Sequence, residues 1–156
     1  MTDTYTVSPA RWGYGALYLL LATIAFAKAT VVTLPELIHQ SRVIAYGRID
    51  SNGGVPVPFH VSKIAKGADV VQGGDILLCN SRPNPEWPDL SRSVGEQVLF
   101  LVKHGDCFDL SHNYRSLIKV HDGRASTIVI KDQPDDQSLD DFLEKISAVL
   151  DRKGAA

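Results

Sequence analysis

Residues 96–103 read EQVLFLVK, the most apolar stretch of the chain outside its N-terminal region. Gly95 precedes the run, and the turn residues His104 and Gly105 follow it. A short apolar run of this length, bounded by turn signals, predicts a β-strand of the hydrophobic core. The turn leads into residues 107–110 (CFDL), which predict the next strand.

Residues upstream of this strand predict a β-hairpin and a third strand. Residues 42–49 (RVIAYGRI) are rich in β-branched and aromatic side chains, and residues 59–64 (FHVSKI) alternate between apolar and polar. The turn signal SNGG at 51–54 separates the two runs. A third strand is predicted at 75–79, and two short ones follow at 117–120 and 126–130.

Helices are predicted at both ends of this β-rich region. Thr33, followed by Pro35 and Glu36, predicts the capped start of a short helix. Ser138 predicts the cap of a C-terminal helix. Its apolar residues recur at helical spacing and form one amphipathic stripe: Leu139, Phe142, Leu143, Ile146, Val149 and Leu150.

The order of these elements predicts the fold class. Five to six short, hairpin-connected strands with helices at the margins favour a mainly β, small OB-like Greek-key barrel. A short N-terminal helix and a C-terminal amphipathic helix complete it. A β-sandwich is the alternative.

The N-terminal region predicts export. Residues 16–27 (ALYLLLATIAFA) carry no charge and end in small residues that fit cleavage by signal peptidase. The run is too short for a comfortable membrane span, which needs about 20 residues. We therefore expect residues 1–29 to be a signal peptide and the protein to work in a periplasm or outside the cell. An uncleaved anchor facing the periplasm is the alternative.

The remainder of the chain is expected to be one OB-like domain over residues 30–152 and a disordered tail at 153–156. The formal charge of the whole chain is −2. A weakly acidic domain lacks the basic patch that nucleic acid requires and the polybasic segment that holds a protein on anionic lipid. We therefore expect no nucleic-acid partner, and no membrane contact once the leader is cleaved.

Cys79 and Cys107 are the two cysteines of the chain. In an oxidising compartment an isolated pair of cysteines favours a single disulfide. Two buried, reduced thiols are the alternative.

A family resemblance follows from three motifs in these strands. Tyr46-Gly47-Arg48, the segment from Phe59 to Gly67, and residues 94–101 (VGEQVLFL) resemble exported bacterial proteins with a netrin-like OB barrel, the group that includes tissue inhibitors of metalloproteinases. The resemblance implies a fold rather than an activity. Inhibition of metalloproteinases is not implied, because no cysteine lies near the predicted mature N-termini, Lys28 and Thr30.

The loop at residues 80–93 (NSRPNPEWPDLSRS) is the predicted binding site. Loops on a rigid barrel carry function, and an aromatic residue between prolines is a stiff anchor of the kind enriched at interfaces. Trp87, flanked by Arg82 and Arg92, is the predicted anchor, and Tyr114 belongs to a second candidate surface. Trp87 folded back as a plug for the barrel end is the competing interpretation.

No catalytic motif is recognised, and no cofactor is expected. The sequence lacks a GxSxG elbow and a CxxC pair. The function hypothesis is therefore a non-enzymatic exported module that binds a protein or peptide partner. One alternative is a metal-binding envelope protein using His104, Asp106 and His112, since histidine and aspartate are common ligands of transition metals. A hydrolase-like enzyme with an unrecognised site is the second alternative.

Overall fold

The apolar run at residues 96–103 lies within a β-barrel in the computed structural model, which describes residues 32–50, 54–71, 74–79 and 87–154. It forms most of β4 (Gly95–His104). This strand pairs antiparallel with β1 (Val43–Ile49) along the whole of β1. The predicted signal peptide at residues 1–29 lies outside the described residues.

Five strands close the barrel. β1 pairs with β2 (Val57–Lys66), β2 with β3 (Asp75–Leu78), and β4 with β5 (Cys107–Leu110), all antiparallel. β3 and β5 pair in parallel through Leu78 and Phe108. Because β1 also pairs with β4, the strand order β1-β2-β3-β5-β4 returns to its start. The predicted OB-like Greek-key barrel is confirmed.

Three further strands extend the sheet beyond the barrel. β6 (Leu117–His121) pairs with β4, β7 (Arg124–Ser126) with β6, and β8 (Asp136–Ser138) with β7, all antiparallel. The barrel thus has five strands, within the five to six predicted, and the described residues extend its sheet to eight strands.

The strand predicted at residues 126–130 is wrong beyond its first residue. The backbone N–H of Ile130 donates to the carbonyl of Thr127 at 2.9 Å, which turns the chain. The hydroxyl of Thr127, itself fully buried, donates to the Pro134 carbonyl. These local bonds replace the strand ladder, and they leave Ile128 on the surface with 66% exposure.

The two helices begin where the sequence predicts. In α1 (Leu34–Gln40) the Glu36 carboxylate accepts the N–H of Thr33 at 2.8 Å and its hydroxyl at 2.9 Å. These bonds lower the pKa of Glu36. In α2 (Leu139–Gly154) the N–H of Asp141 donates to Ser138 Oγ at 3.1 Å. Because α2 continues through Gly154, the tail predicted from residue 153 is helical at its first two residues.

Two hydrophobic clusters lie on opposite faces of β1 and β4. The interior cluster fills the barrel and comprises Val43, Ala45, Ile49, Val57, Phe59, Ile76, Leu78, Leu90, Leu99, Leu101, Phe108, Leu110 and Leu117. The outer cluster packs both helices against the barrel wall and comprises Val32, Leu34, Leu37, Ile38, Ile44, Val98, Phe100, Ile118, Val120, Ala125, Ile130, Phe142, Leu143 and Ile146. Burial on both faces explains why the centre of β4, residues 98–102, is continuously apolar.

The predicted disulfide is present and joins the ends of two barrel strands. Cys79 follows β3 and Cys107 begins β5, with their Cα atoms 5.3 Å apart. The backbone N–H of Cys79 donates to the carbonyl of Phe108 at 2.9 Å. The disulfide therefore crosses the parallel β3–β5 seam, which has a single register pair among the described residues.

Candidate functional site

The described end of the predicted binding loop is anchored on the barrel. Asp89 caps a 3₁₀ turn at Leu90–Arg92 by accepting the N–H of Ser91 at 3.0 Å. Leu90 is 2% exposed and belongs to the interior cluster. Trp87 is half-buried and packs against the same cluster. This packing is the arrangement expected of a plug, and it holds the end of the loop in a fixed position.

The other predicted contact residues lie in different surroundings. Arg82 lies outside the described residues. Arg92 has 84% of its side chain exposed and lies 3.3 Å from the Asp89 carboxylate. Tyr114 is 42% exposed, and the guanidinium of Arg115 lies 4.9 Å from the centre of its ring. A cation over an aromatic ring is a favourable contact, and part of Tyr114 stays exposed at the surface beside it.

Tyr114 lines a surface groove with residues of the binding loop. This Tyr114 groove has a volume of about 280 Å³ and is lined by Pro88, Ser93, Tyr114, Leu117, Lys119, Ser126, Ile128 and Val129. Most of the lining is apolar, and Ile128 is its most exposed large apolar side chain. The structure therefore brings Tyr114 and the loop together, although Trp87 and Arg92 are not part of this lining.

A second cleft adjoins the first where β4 and β6 separate. Their pairing ends at Gln97 and Lys119, whereas β4 continues beside β1 as far as Gly95. Beyond Lys119, β6 turns to β7 and pairs through Val120 and His121. The resulting strand fork has a volume of about 480 Å³ and is lined by Arg48, Val94, Gly95, Glu96, Lys119, Val120, His121 and Asp122.

Most charged groups of the strand fork have partners within the protein. Arg48 Nε lies 2.6 Å from the Asp50 carboxylate, and His121 Nε2 lies 3.3 Å from that of Asp122. The carboxylate of Glu96 lies close enough to the hydroxyl of Tyr46 to affect its pKa. Burial, together with the negative charge of Glu96, raises the pKa of Tyr46.

Lys119 lies between the two clefts and lines both of them. Its side chain is exposed, and no carboxylate of the described residues forms an ion pair with it. It occupies the last register position before the strands separate. Lys119 gives no signal of a site in the sequence, because an exposed lysine on a strand resembles any other solvated side chain.

Gln97, the register partner of Lys119, carries an unsatisfied polar atom. Its side chain is 1% exposed, and its Nε2 donates to the carbonyl of Ser93, a residue of the Tyr114 groove. Its Oε1 is buried and accepts no hydrogen bond from the described residues. A buried acceptor without a donor lowers the stability of the folded protein, and most buried polar atoms in proteins do have a hydrogen-bond partner.

The residues of the metal alternative lie in separate interactions. His104 Nδ1 lies 3.6 Å from the carboxylate of Asp109 rather than that of Asp106. His112 donates its backbone N–H to Ser116 Oγ at 2.7 Å, and its Nε2 is buried. Among residues 32–50, 54–71, 74–79 and 87–154, no group of three or more histidine, cysteine or acidic side chains is arranged to hold a metal ion.

Comparison with known proteins gives no functional assignment. Within the described part of the chain, no helix has the length and apolarity needed to cross a membrane. No protein-family model and no curated protein sequence matches this chain.

Proposed function

We propose that this chain is an exported, non-enzymatic binding module that recognises a protein or peptide partner. The observation that carries the proposal is the Tyr114 groove, in which exposed apolar side chains lie beside a loop fixed on a rigid barrel. Concave apolar surfaces with a few polar groups are where proteins bind ligands, and OB-like barrels bind through loops and one barrel face.

Export is supported by two independent features. The apolar leader at residues 1–29 has the composition of a signal peptide. The chain also carries the Cys79–Cys107 disulfide, and disulfides form and persist mainly in oxidising compartments such as the periplasm or the cell exterior. The resemblance to exported bacterial proteins with a netrin-like barrel also favours export. Intact mass of the protein produced from the complete chain would test cleavage after Ala27 or Ala29.

The predicted contact residues have different roles in the proposal. Tyr114 contacts the partner, because it lines the groove and is exposed. Trp87 positions the loop through its packing on the interior cluster. Arg92 extends into solvent beside the loop and would meet a partner at the edge of the contact. Contact through Arg82 stays a prediction.

Site-specific photocrosslinking in the native cells tests this proposal. A photoreactive amino acid at Ile128 would report contacts of the groove, and one at Leu77, which is 46% exposed on β3, is the matched control. We expect a crosslinked polypeptide specific to Ile128 that disappears in Tyr114→Ala. Identical products at both positions, or none, would contradict the proposal. Crosslinks from Ile128 to another part of this chain, or to a second copy of it, would show that the groove is occupied by the protein itself rather than by a different partner.

A further inference from the structure

We infer that the partner is bound as an extended peptide that places a carboxylate on Lys119 and an apolar side chain in the Tyr114 groove. This inference rests on the proposed function and specifies the partner's chemistry. It is carried by the position of Lys119 between the groove and the strand fork.

Charge complementarity selects a carboxylate. Arg48 and His121, the other basic side chains of the fork, already lie beside the carboxylates of Asp50 and Asp122. Lys119 is exposed without such a partner among the described residues. An acidic side chain of the bound peptide would therefore meet a cation that forms no ion pair with the described residues. A basic side chain would meet repulsion at the same point.

The groove beside Lys119 selects an apolar neighbour for that carboxylate. Ile128 is 66% exposed and Tyr114 is 42% exposed, both on the groove lining. Such exposed side chains gain from burial against an apolar partner. An aromatic residue at the centre of a contact is also a frequent source of binding energy.

The strand fork favours an extended peptide over a helix. Beyond Gln97 and Lys119, the described strands leave β4 paired only with β1, and β6 paired only with β7. The facing edges of β4 and β6 therefore diverge around an open cleft. Extended peptides bind sheet edges through main-chain hydrogen bonds, while pockets beside the edge select their side chains.

Selection from a displayed library of random octapeptides on the full chain tests the inference. We expect enriched peptides to contain Asp or Glu next to an apolar residue. Their binding should weaken by up to about fivefold in Lys119→Gln, as for an exposed ion pair. Lys103→Gln, an exposed lysine at the opposite end of β4, is the matched control and should bind normally. Ile128→Ser should also weaken binding, and Leu77→Ser should not.

A double-mutant cycle isolates the ion pair. Replacing the carboxylate of a selected peptide by its amide should weaken binding to the wild type and have no further effect on Lys119→Gln. Enriched peptides without an acidic residue, or additive effects in the cycle, would overturn the inference and leave peptide binding intact. Absence of any enriched peptide would overturn the inference, whereas the proposed function would stand or fall separately on the crosslinking at Ile128. A dimer of the wild type that Ile128→Ser dissociates would assign the groove to a second copy and overturn the inference.

Discussion

Removal of the disulfide is the most informative test of how the barrel is held closed. In Cys79→Ser/Cys107→Ser the chain loses the covalent bond across the β3–β5 seam, where the described strands share only the register pair Leu78–Phe108. The barrel must then rely at this point on hydrogen bonds and on the packing of the interior cluster.

The expected loss of stability follows from the loop that the disulfide closes. The two cysteines are separated by 28 residues. The chain-entropy relation for a loop of this length gives a loss of about 3.5 kcal/mol in the free energy of unfolding at 25 °C. For a domain of this size, such a loss corresponds to a decrease in Tm of roughly 10–18 °C.

Urea denaturation of the oxidised wild type and the double serine variant measures this loss. Addition of a reductant to the wild type should reproduce the midpoint of the variant, and it should leave the variant itself unchanged. Amide exchange supplies a local readout, because the N–H of Cys79 donates across the seam to Phe108. We expect this amide to lose more protection than those between β1 and β4. A loss below about 1 kcal/mol would refute the entropic estimate, and uniform loss of protection would refute the role of the seam.

Three other substitutions test the packing and the helix start. Phe100→Ala should destabilise the protein by about 3–5 kcal/mol, since the side chain is fully buried with its ring 6.4 Å from that of Phe142. Urea denaturation measures this loss. A loss near zero would contradict the conclusion that the outer cluster is a packed core. Gly47→Ala should cost roughly 1–3 kcal/mol or more, because its Cβ would lie 2.1 Å from a β2 carbonyl oxygen; a stable variant would show that β2 moves aside freely. Glu36→Gln should be less stable than the wild type at neutral pH, because the pKa of Glu36 is lowered by its bonds to Thr33. The difference in the free energy of unfolding between the wild type and this variant should shrink as the pH falls below 4.5, the ordinary pKa of glutamate, and through the lowered pKa of the folded state. A difference that stays constant between neutral and acidic pH would contradict the capping contribution.

Local patterns predicted the parts of the fold that depend on local interactions. The strands around residues 42–49 and 96–103 were predicted because period and turn signals are short-range. The caps at Thr33 and Ser138 were predicted for the same reason. The disulfide was predicted from composition and compartment, without any information about distance.

The remaining features depend on contacts between distant segments. β7 and β8 have three residues each, so their periodicity is too short to recognise, and their pairing joins positions ten or more residues apart. Trp87 between prolines predicted either an anchor or a plug, and its packing against the interior cluster could not be inferred from the sequence. The strand fork was beyond prediction because it depends on where the pairing of β4 with β6 ends.

The placement of β1 and β4 between two hydrophobic clusters has a consequence for how the protein unfolds. Adjacent residues such as Leu99 and Phe100 are buried on opposite sides of one wall. Loss of the helices would expose the outer face of this wall, and opening of the barrel would expose the inner face. Neither the helices nor the barrel can unfold without exposing apolar surface that the other part covers. We therefore expect a single cooperative unfolding transition rather than a stepwise one. The helices and the barrel thus form one folding unit. A destabilising substitution on either face of the β1–β4 wall should therefore weaken the packing on the opposite face as well.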